Sequence, residues 1–171
     1  VSTINLLMAE AAGPIGWQLA AQLPRRKKGH GLLPAPGWDP EAGWEDEPIP
    51  IRDLPGIDNP AEGFLVSANN QPVPTEAMDQ WPWMGADWLD GYRQARISEV
   101  LATRADWDVA GMLALQQDRV AVAWRDFAPH ILAPEVAVQA GADGPIAAAL
   151  AVLRDWDGAL RGDPSSAWVM K

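Results

Sequence analysis

The sequence predicts an α+β protein, and the contrast between its two halves carries that prediction. From Val1 to about Pro74, short β-like apolar runs are joined by Gly and Pro, whereas helical spacing of apolar residues dominates from about Asp87 onward. A chain of 171 residues with 48% hydrophobic content can bury one core. We therefore expect residues 1–171 to form a single domain or a fragment of a larger one, with strands and a Pro/Gly-rich wrap over 1–74 and a mainly helical part over 75–171.

The first two apolar runs predict a β-hairpin. Thr3–Ala9 and Ile15–Leu23 flank the turn-forming pair Gly13-Pro14. The second run ends at Pro24, whose nitrogen cannot donate to a strand ladder. Gly63–Ala68 is the third strand candidate.

The stretch from Pro24 to Pro60 is rich in Pro and Gly and also contains Trp38 and Trp44. It is too constrained for a flexible linker and too irregular for a sheet. We expect it to wrap over the core with both tryptophans as anchors.

Three helices are predicted in the second half. The first covers Asp87–Ala102 with Asp87 as its N-cap, and the second starts at a capping box that begins with Thr103 and ends near Pro129. The third covers about residues 144–156 and is stopped by Gly158.

Charge and composition exclude several function classes. Twenty-three acidic and thirteen basic residues give a net charge of −10, which repels nucleic acid and anionic membranes. No apolar run is long enough to cross a bilayer. Cysteine is absent, which excludes disulfides, thiolate catalysis and cysteine-ligated zinc.

Two charged clusters have competing interpretations. The basic residues 25–28 indicate a solvated loop, with an anion or processing site as the alternative. The acidic residues between Asp39 and Glu47 indicate a solvated loop rather than a calcium site, because EF-hand spacing is absent. Asp155 and Asp157 could do acid/base work, but they are more typical of a structural turn at a helix C-terminus.

The run GFLVSANNQP, residues 63–72, ends in the tandem amides Asn69 and Asn70 before Pro72. From the residues alone this pattern predicts a turn, because Asn tolerates left-handed backbone angles.

Five motifs, in order, give the chain a family resemblance: MAEAAGPIGWQLAAQLPRRKKGHGLLPAPGWD, WEDEPIP, DLPGIDNPAEGFLVSANNQP, YRQARISEVL and LRDWDG. Together they resemble the β-chain of the penicillin acylase family, amidases of the N-terminal-nucleophile hydrolase superfamily. The resemblance runs from about residue 4 to about residue 169. It implies part of a four-layer α-β-β-α sandwich and a parent enzyme that hydrolyses linear amides, such as β-lactam side chains or acyl-homoserine lactones, through an acyl-enzyme.

The resemblance also implies two site residues. Asn69 matches the side-chain donor of the family's oxyanion hole, with Asn70 left as the turn residue. Arg93 matches an arginine that orients this asparagine and the substrate. A surface arginine paired with Asp90 or Glu99 is the alternative interpretation of Arg93, and Arg96 is a competing candidate.

The family's nucleophile is the N-terminal serine exposed by self-cleavage, and this chain does not match that motif. Ser2 follows Val1 and is not expected to be the nucleophile, and neither His30 nor His130 has the spacing for a triad. We therefore expect the isolated chain to be inactive without the remainder of the parent amidase, namely its α-chain and the N-terminal part of its β-chain.

No cofactor is expected in this segment. The resemblance allows a structural calcium in the parent enzyme, and Asp79 lies near the corresponding aspartate without matching it well. A periplasmic or secreted parent is implied by the resemblance alone.

Two rival hypotheses remain. In one, the chain is a non-catalytic, Trp-rich module that binds a cationic or carbohydrate ligand. In the other, unpaired strand edges lead the fragment to self-associate.

Overall fold

The structure, a computed structural model, describes residues 4–29, 31, 33–81, 84–85, 87–140 and 144–161. These fall into two units, Val1–Gln94 and Ala95–Lys171. Ser2 and His30, considered above for chemistry, lie outside the described residues.

The predicted hairpin is confirmed. Strands β1, Ile4–Ala9, and β2, Ile15–Ala20, pair antiparallel, with Leu7 opposite Trp17. Gly13 in the connecting turn has φ +116°, a conformation that glycine adopts without steric cost.

The predicted third strand is wrong in position. Residues 64–67 pair with no described strand, and the third strand of the sheet is Gly56–Asp58, which pairs with β2 on the side away from β1. A β-strand requires hydrogen bonds to a neighbouring strand as well as an apolar sequence. Both edges of β2 are already paired, one with β1 and the other with Gly56–Asp58.

The Pro/Gly-rich wrap contains more regular structure than predicted. Pro24–Arg26 (β3) and Trp44–Pro48 (β4) form a two-stranded antiparallel sheet, so Gly56–Asp58 is β5 in chain order. Short 3₁₀ turns cover Pro40–Ala42 and Ile51–Asp53.

The prediction that Trp38 and Trp44 anchor this wrap is also wrong. Trp38 is 89% exposed and Trp44 is 53% exposed. Two aliphatic side chains of the same stretch are buried instead, Ile49 at 3% and Leu54 at 5% exposure.

The core of the first unit lies on one side of the three-stranded sheet. Its buried members are Trp17, Leu19, Ile49, Leu54 and Val73. A 3₁₀ helix, Thr75–Gln80, contributes Met78, which packs against this cluster together with four other partly buried side chains: Leu23, Leu65, Trp81 and Met84. Trp17 keeps its indole N–H satisfied by donating to the side-chain oxygen of Asn5 at 3.0 Å.

The first predicted helix begins later than expected. Helix α1 covers Tyr92–Leu101, and the carboxylate of Asp90 accepts a hydrogen bond from the Tyr92 amide at 3.1 Å. Asp87 therefore does not cap it, because an acidic side chain closer to the first helical amide takes that role.

The second predicted helix is two helices. Helix α2, Val109–Gln116, is capped by Asp108, and helix α3, Ala123–Ile131, contains Pro129. The Thr103 capping box is wrong, since the Thr103 hydroxyl donates to the carbonyl of Val100 instead.

Two further helices complete the second unit. Helix α4, Pro134–Ala140, was not predicted, and α5, Pro145–Arg154, confirms the third predicted helix. Gly158 follows α5 with φ +81°, and Trp124 and Trp156 pack with ring centroids 5.0 Å apart. Among the described residues, no helix has the length and apolar character to cross a membrane.

Candidate active site

A cavity of about 490 Å³ in the first unit holds the site that the sequence indicated. Core side chains of β2 and the segment after it, Leu19 and Leu23, line it together with Asn69, Trp88 and Leu89. The cavity therefore joins the apolar core to the turn that carries the tandem amides.

Asn69 is held at both its backbone and its side chain. Its φ is +63°, its carbonyl oxygen accepts from the Leu89 amide at 3.2 Å, and its Oδ1 accepts from Nη2 of Arg93 at 2.8 Å. Because a guanidinium carries only donors, the side-chain atom facing it must be the amide oxygen. The amide nitrogen then remains, and no described residue accepts a hydrogen bond from it.

Asn69 is an exposed residue that lines the cavity. An inward side chain sealed among apolar neighbours would have ruled out any interaction with a ligand. The side-chain amide keeps two N–H bonds for which the described residues supply no acceptor.

Arg93 reaches this turn from the first turn of α1. The same Nη2 atom donates to the carbonyl of Ala68 at 2.9 Å and to Asn69 Oδ1. The structure thus brings together the two residues predicted from the sequence. Their catalytic role stays a prediction.

Neither alternative partner for Arg93 is engaged with it. Asp90 accepts from the Tyr92 amide, and Glu99 is held by Arg125 at 2.9 Å.

Asn70 shapes the turn through its side chain rather than its backbone angle. Its Oδ1 accepts from the Ala68 amide at 3.2 Å, and its Nδ2 donates to the carbonyl of Gln71 at 2.8 Å. The resemblance favoured Asn70 as the turn residue, whereas the left-handed conformation belongs to Asn69. Asn69 is therefore both a turn residue and a candidate donor.

Arg96, the competing candidate, belongs to an ion-pair cluster of the second unit. It binds Asp118 through two nitrogens, at 3.1 and 2.7 Å, and also approaches Glu99 at 3.3 Å. The hydrogen bond from Arg96 lowers the pKa of Asp118 from its ordinary value. Because the Arg96 guanidinium is paired with the carboxylates of Asp118 and Glu99, its role is structural.

Several other charged residues singled out in the sequence make structural contacts. Asp157 accepts from the Ala159 amide at 3.0 Å, which, with Arg161, lowers its pKa and supports the predicted structural turn. Asp39 caps the amide of Glu41, and Arg25 pairs with Glu45 at 3.3 Å. No group of three or more metal-ligating side chains is found in the described part of the chain.

Trp88 is a cavity residue that the sequence analysis missed. Its indole nitrogen is buried and has no hydrogen-bond partner in the part of the chain that the structure describes. Its position five residues before Arg93, between the amide turn and the helix, was the available signal.

Comparison with known proteins decides the family. The model of the penicillin amidase family matches residues 1–171 of this sequence. The chain belongs to the penicillin amidase family. The resemblance inferred from the motifs is therefore confirmed.

Relatives within the penicillin amidase family include proteins named as acyl-homoserine lactone acylases and proteins named as penicillin acylases. An acyl-homoserine lactone acylase, QuiP, of Pseudomonas aeruginosa is 32% identical over 123 residues, which is 70% of this chain and 14% of the relative. The penicillin acylase 2 proenzyme of Pseudomonas sp. strain SE83 is 32% identical over 127 residues, 74% of this chain and 15% of the relative. This family member thus spans about one seventh of the length of such relatives.

The fold agrees with the family. The thermostable penicillin G acylase of Alcaligenes faecalis superposes with a TM-score of 0.64 and 28% identity, over 95% of this chain and 28% of that structure. The mixture of helices and sheets in this penicillin amidase family chain is that of the N-terminal-nucleophile hydrolase fold, as predicted.

Proposed function

We propose that this chain is a segment of an amidase that hydrolyses a linear amide through an acyl-enzyme, and that Asn69 stabilises the oxyanion. The observation that supports it is the Asn69 side chain, whose oxygen is bound by Arg93 at 2.8 Å while its nitrogen remains without a described acceptor beside a cavity. Attack on an amide carbonyl moves negative charge onto its oxygen. A fixed N–H donor beside that oxygen lowers the barrier.

In this proposal Arg93 is a positioning residue. It donates to Ala68 O and to Asn69 Oδ1, so it holds the backbone and the side chain of the same turn. An amide whose orientation is fixed before the reaction needs no reorganisation when the oxyanion forms.

The segment supplies a donor and its support but not a whole active site. The chain spans only 14% of the acyl-homoserine lactone acylase above, and the family's serine nucleophile is expected in the remainder of the polypeptide. We therefore propose that residues 1–171 alone do not turn over amides. Any structural calcium would likewise belong to the longer enzyme.

The substitution Asn69→Gly, made in the full-length polypeptide, tests the proposal. Glycine adopts a φ of +63° without strain, so the turn is kept while the amide is lost. With acyl p-nitroanilides as probes, kcat should fall by about 10²- to 10³-fold with little change in KM.

Asn70→Gly is the matched control, because it removes an amide from the adjacent residue. It deletes the hydrogen bonds to Ala68 and Gln71, so it should loosen the turn but retain most of kcat. Equal losses from both variants, or retention of kcat in Asn69→Gly, would refute an oxyanion role for Asn69.

A second candidate function is ligand binding through exposed tryptophans. It is favoured by the exposure of Trp38 and Trp44, at 89% and 53%. Titration of the full-length polypeptide with oligosaccharides and cationic peptides, followed by tryptophan fluorescence, tests it. Binding lost in Trp38→Ala and kept in Asn69→Gly would favour this function.

A further inference from the structure

The cavity beside Asn69 has an apolar neighbour in the same unit. This neighbouring cavity has a volume of about 580 Å³ and lies among Leu33, Pro34, Pro36 and Trp44. We call it the proline cavity. Its walls come from the loop between β3 and β4 and are mainly apolar.

Arg26 and Gly31 are the two described residues that line both cavities. Arg26 is the last residue of β3 and lies opposite Trp44 in the register of the two-stranded sheet. Its guanidinium carbon lies 4.7 Å from the centre of a Trp44 ring, a cation–π distance. The side chain is thus held by the strand pair that carries it.

Gly31 provides the space in which that guanidinium lies. A Cβ added to Gly31 would come within 2.5 to 2.9 Å of three guanidinium atoms of Arg26. The φ of Gly31 is +79°, which also favours glycine. A stacking partner on one strand and a missing side chain on the loop both favour this position of Arg26.

We propose that Arg26 is a specificity-determining residue that separates the Asn69 cavity from the proline cavity and limits the length of the aliphatic group on the amide substrate. This inference rests on the proposed amidase function. A charged guanidinium at the boundary disfavours an apolar chain, because the chain would displace water from the charge without replacing its hydrogen bonds.

Removal of the guanidinium should join the two cavities. An aliphatic chain extending from the Asn69 cavity would then contact Leu33, Pro34 and Trp44 instead of the Arg26 guanidinium, in a cavity whose remaining charged residues are Lys28 and Asp39. Each methylene group transferred from water to such walls is worth about fourfold in binding. Preference for long chains should rise with the number of methylenes that enter the proline cavity.

The test compares Arg26→Ala with the unchanged full-length polypeptide on two substrate series. One is acyl p-nitroanilides from butanoyl to dodecanoyl, and the other is a fixed acyl group on n-alkylamines of increasing length. For Arg26→Ala we expect kcat/KM to rise by about fourfold per added methylene in one series, beyond the length at which the unchanged enzyme stops improving. The series that responds identifies which side of the amide faces the proline cavity.

Two further variants keep the test decisive if Arg26→Ala folds poorly. Gly31→Ala retains the charge but displaces the guanidinium, so it should shift the preference in the same direction. Leu33→Ala alters a residue that is 83% exposed and lines only the proline cavity. It should reduce the long-chain preference in the Arg26→Ala background and have no effect without it.

Unchanged chain-length profiles in both Arg26→Ala and Gly31→Ala would overturn the inference. Failure of the proposed function is distinguishable, since it appears as retained kcat in Asn69→Gly whatever the chain length.

Discussion

Replacement of Arg93 by methionine is the most informative single perturbation of the amide turn. Methionine keeps an unbranched side chain but removes the nitrogen that donates to Ala68 O at 2.9 Å and to Asn69 Oδ1 at 2.8 Å. The oxygen of Asn69 then loses a charged partner, and the amide can rotate so that its nitrogen leaves the cavity.

The magnitude follows from the bond that is lost. A hydrogen bond to a charged group contributes about 1.5–3 kcal/mol, which corresponds to roughly 10- to 150-fold in a rate if the full amount is transmitted to the transition state. Removal of the oxyanion donor itself costs about 10²- to 10³-fold. The loss from Arg93→Met should therefore be smaller than the loss from Asn69→Gly.

The assay measures kcat and KM for an acyl p-nitroanilide with the full-length polypeptide. We expect kcat to fall and KM to change less, and we expect Arg93→Lys to be intermediate because an ammonium cannot reproduce the geometry of the guanidinium. Arg52→Met is the control, since Arg52 has an 84% exposed side chain in the same unit and should leave kcat unchanged.

A double-mutant cycle separates positioning from an independent contribution. If Arg93 acts by orienting Asn69, the variant that combines Arg93→Met with Asn69→Gly should be no slower than Asn69→Gly alone. Losses that simply add would refute the reasoning, because they would mean that Arg93 stabilises the transition state without Asn69.

Two other predictions concern stability. Asp118→Asn should weaken the pair with Arg96 and speed amide exchange around Val120, whose N–H Asp118 accepts at 3.0 Å. Because the pKa of Asp118 is lowered in the folded state, the stability it contributes is present above the unfolded value of about 3.9 and is lost as pH falls through the lowered pKa. Amide exchange around Val120 is measured by mass spectrometry as a function of pH. The same pH dependence in Asp118→Asn and in the unchanged protein would contradict this prediction. Leu54→Ala should reduce the free energy of unfolding by about 2–5 kcal/mol, since Leu54 is 5% exposed in the core. A loss in denaturant titration no larger than that of an exposed-site control, Leu33→Ala, would contradict it.

Local signals in the sequence were sufficient where they had no competitor. The hairpin formed as predicted because Gly13-Pro14 separates two apolar runs, within which two strands of six residues pair in register. Caps were less predictable, since Asp87 and Asp90 both precede the first helix and only the nearer one reaches the Tyr92 amide. The choice between such neighbours depends on backbone geometry that composition does not specify.

Long-range contacts explain the remaining errors. The predicted second helix is interrupted where Asp118 binds Arg96, a partner 22 residues away. Gly63–Ala68 has the composition of a strand, but the third strand beside β2 is β5. Both outcomes depend on which segments meet after folding.

By itself, the sequence determined the family, the mixed α+β class, and Asn69 and Arg93 as candidate partners. These conclusions depend only on residue types and their order along the chain. Only the tertiary structure decided that these two side chains lie 2.8 Å apart, that Asn69 carries the left-handed turn, and that Arg26 lies between two cavities. The physical reason is that hydrogen bonds and cavity walls form between atoms brought together by folding, and their separation along the chain does not fix their distance in space.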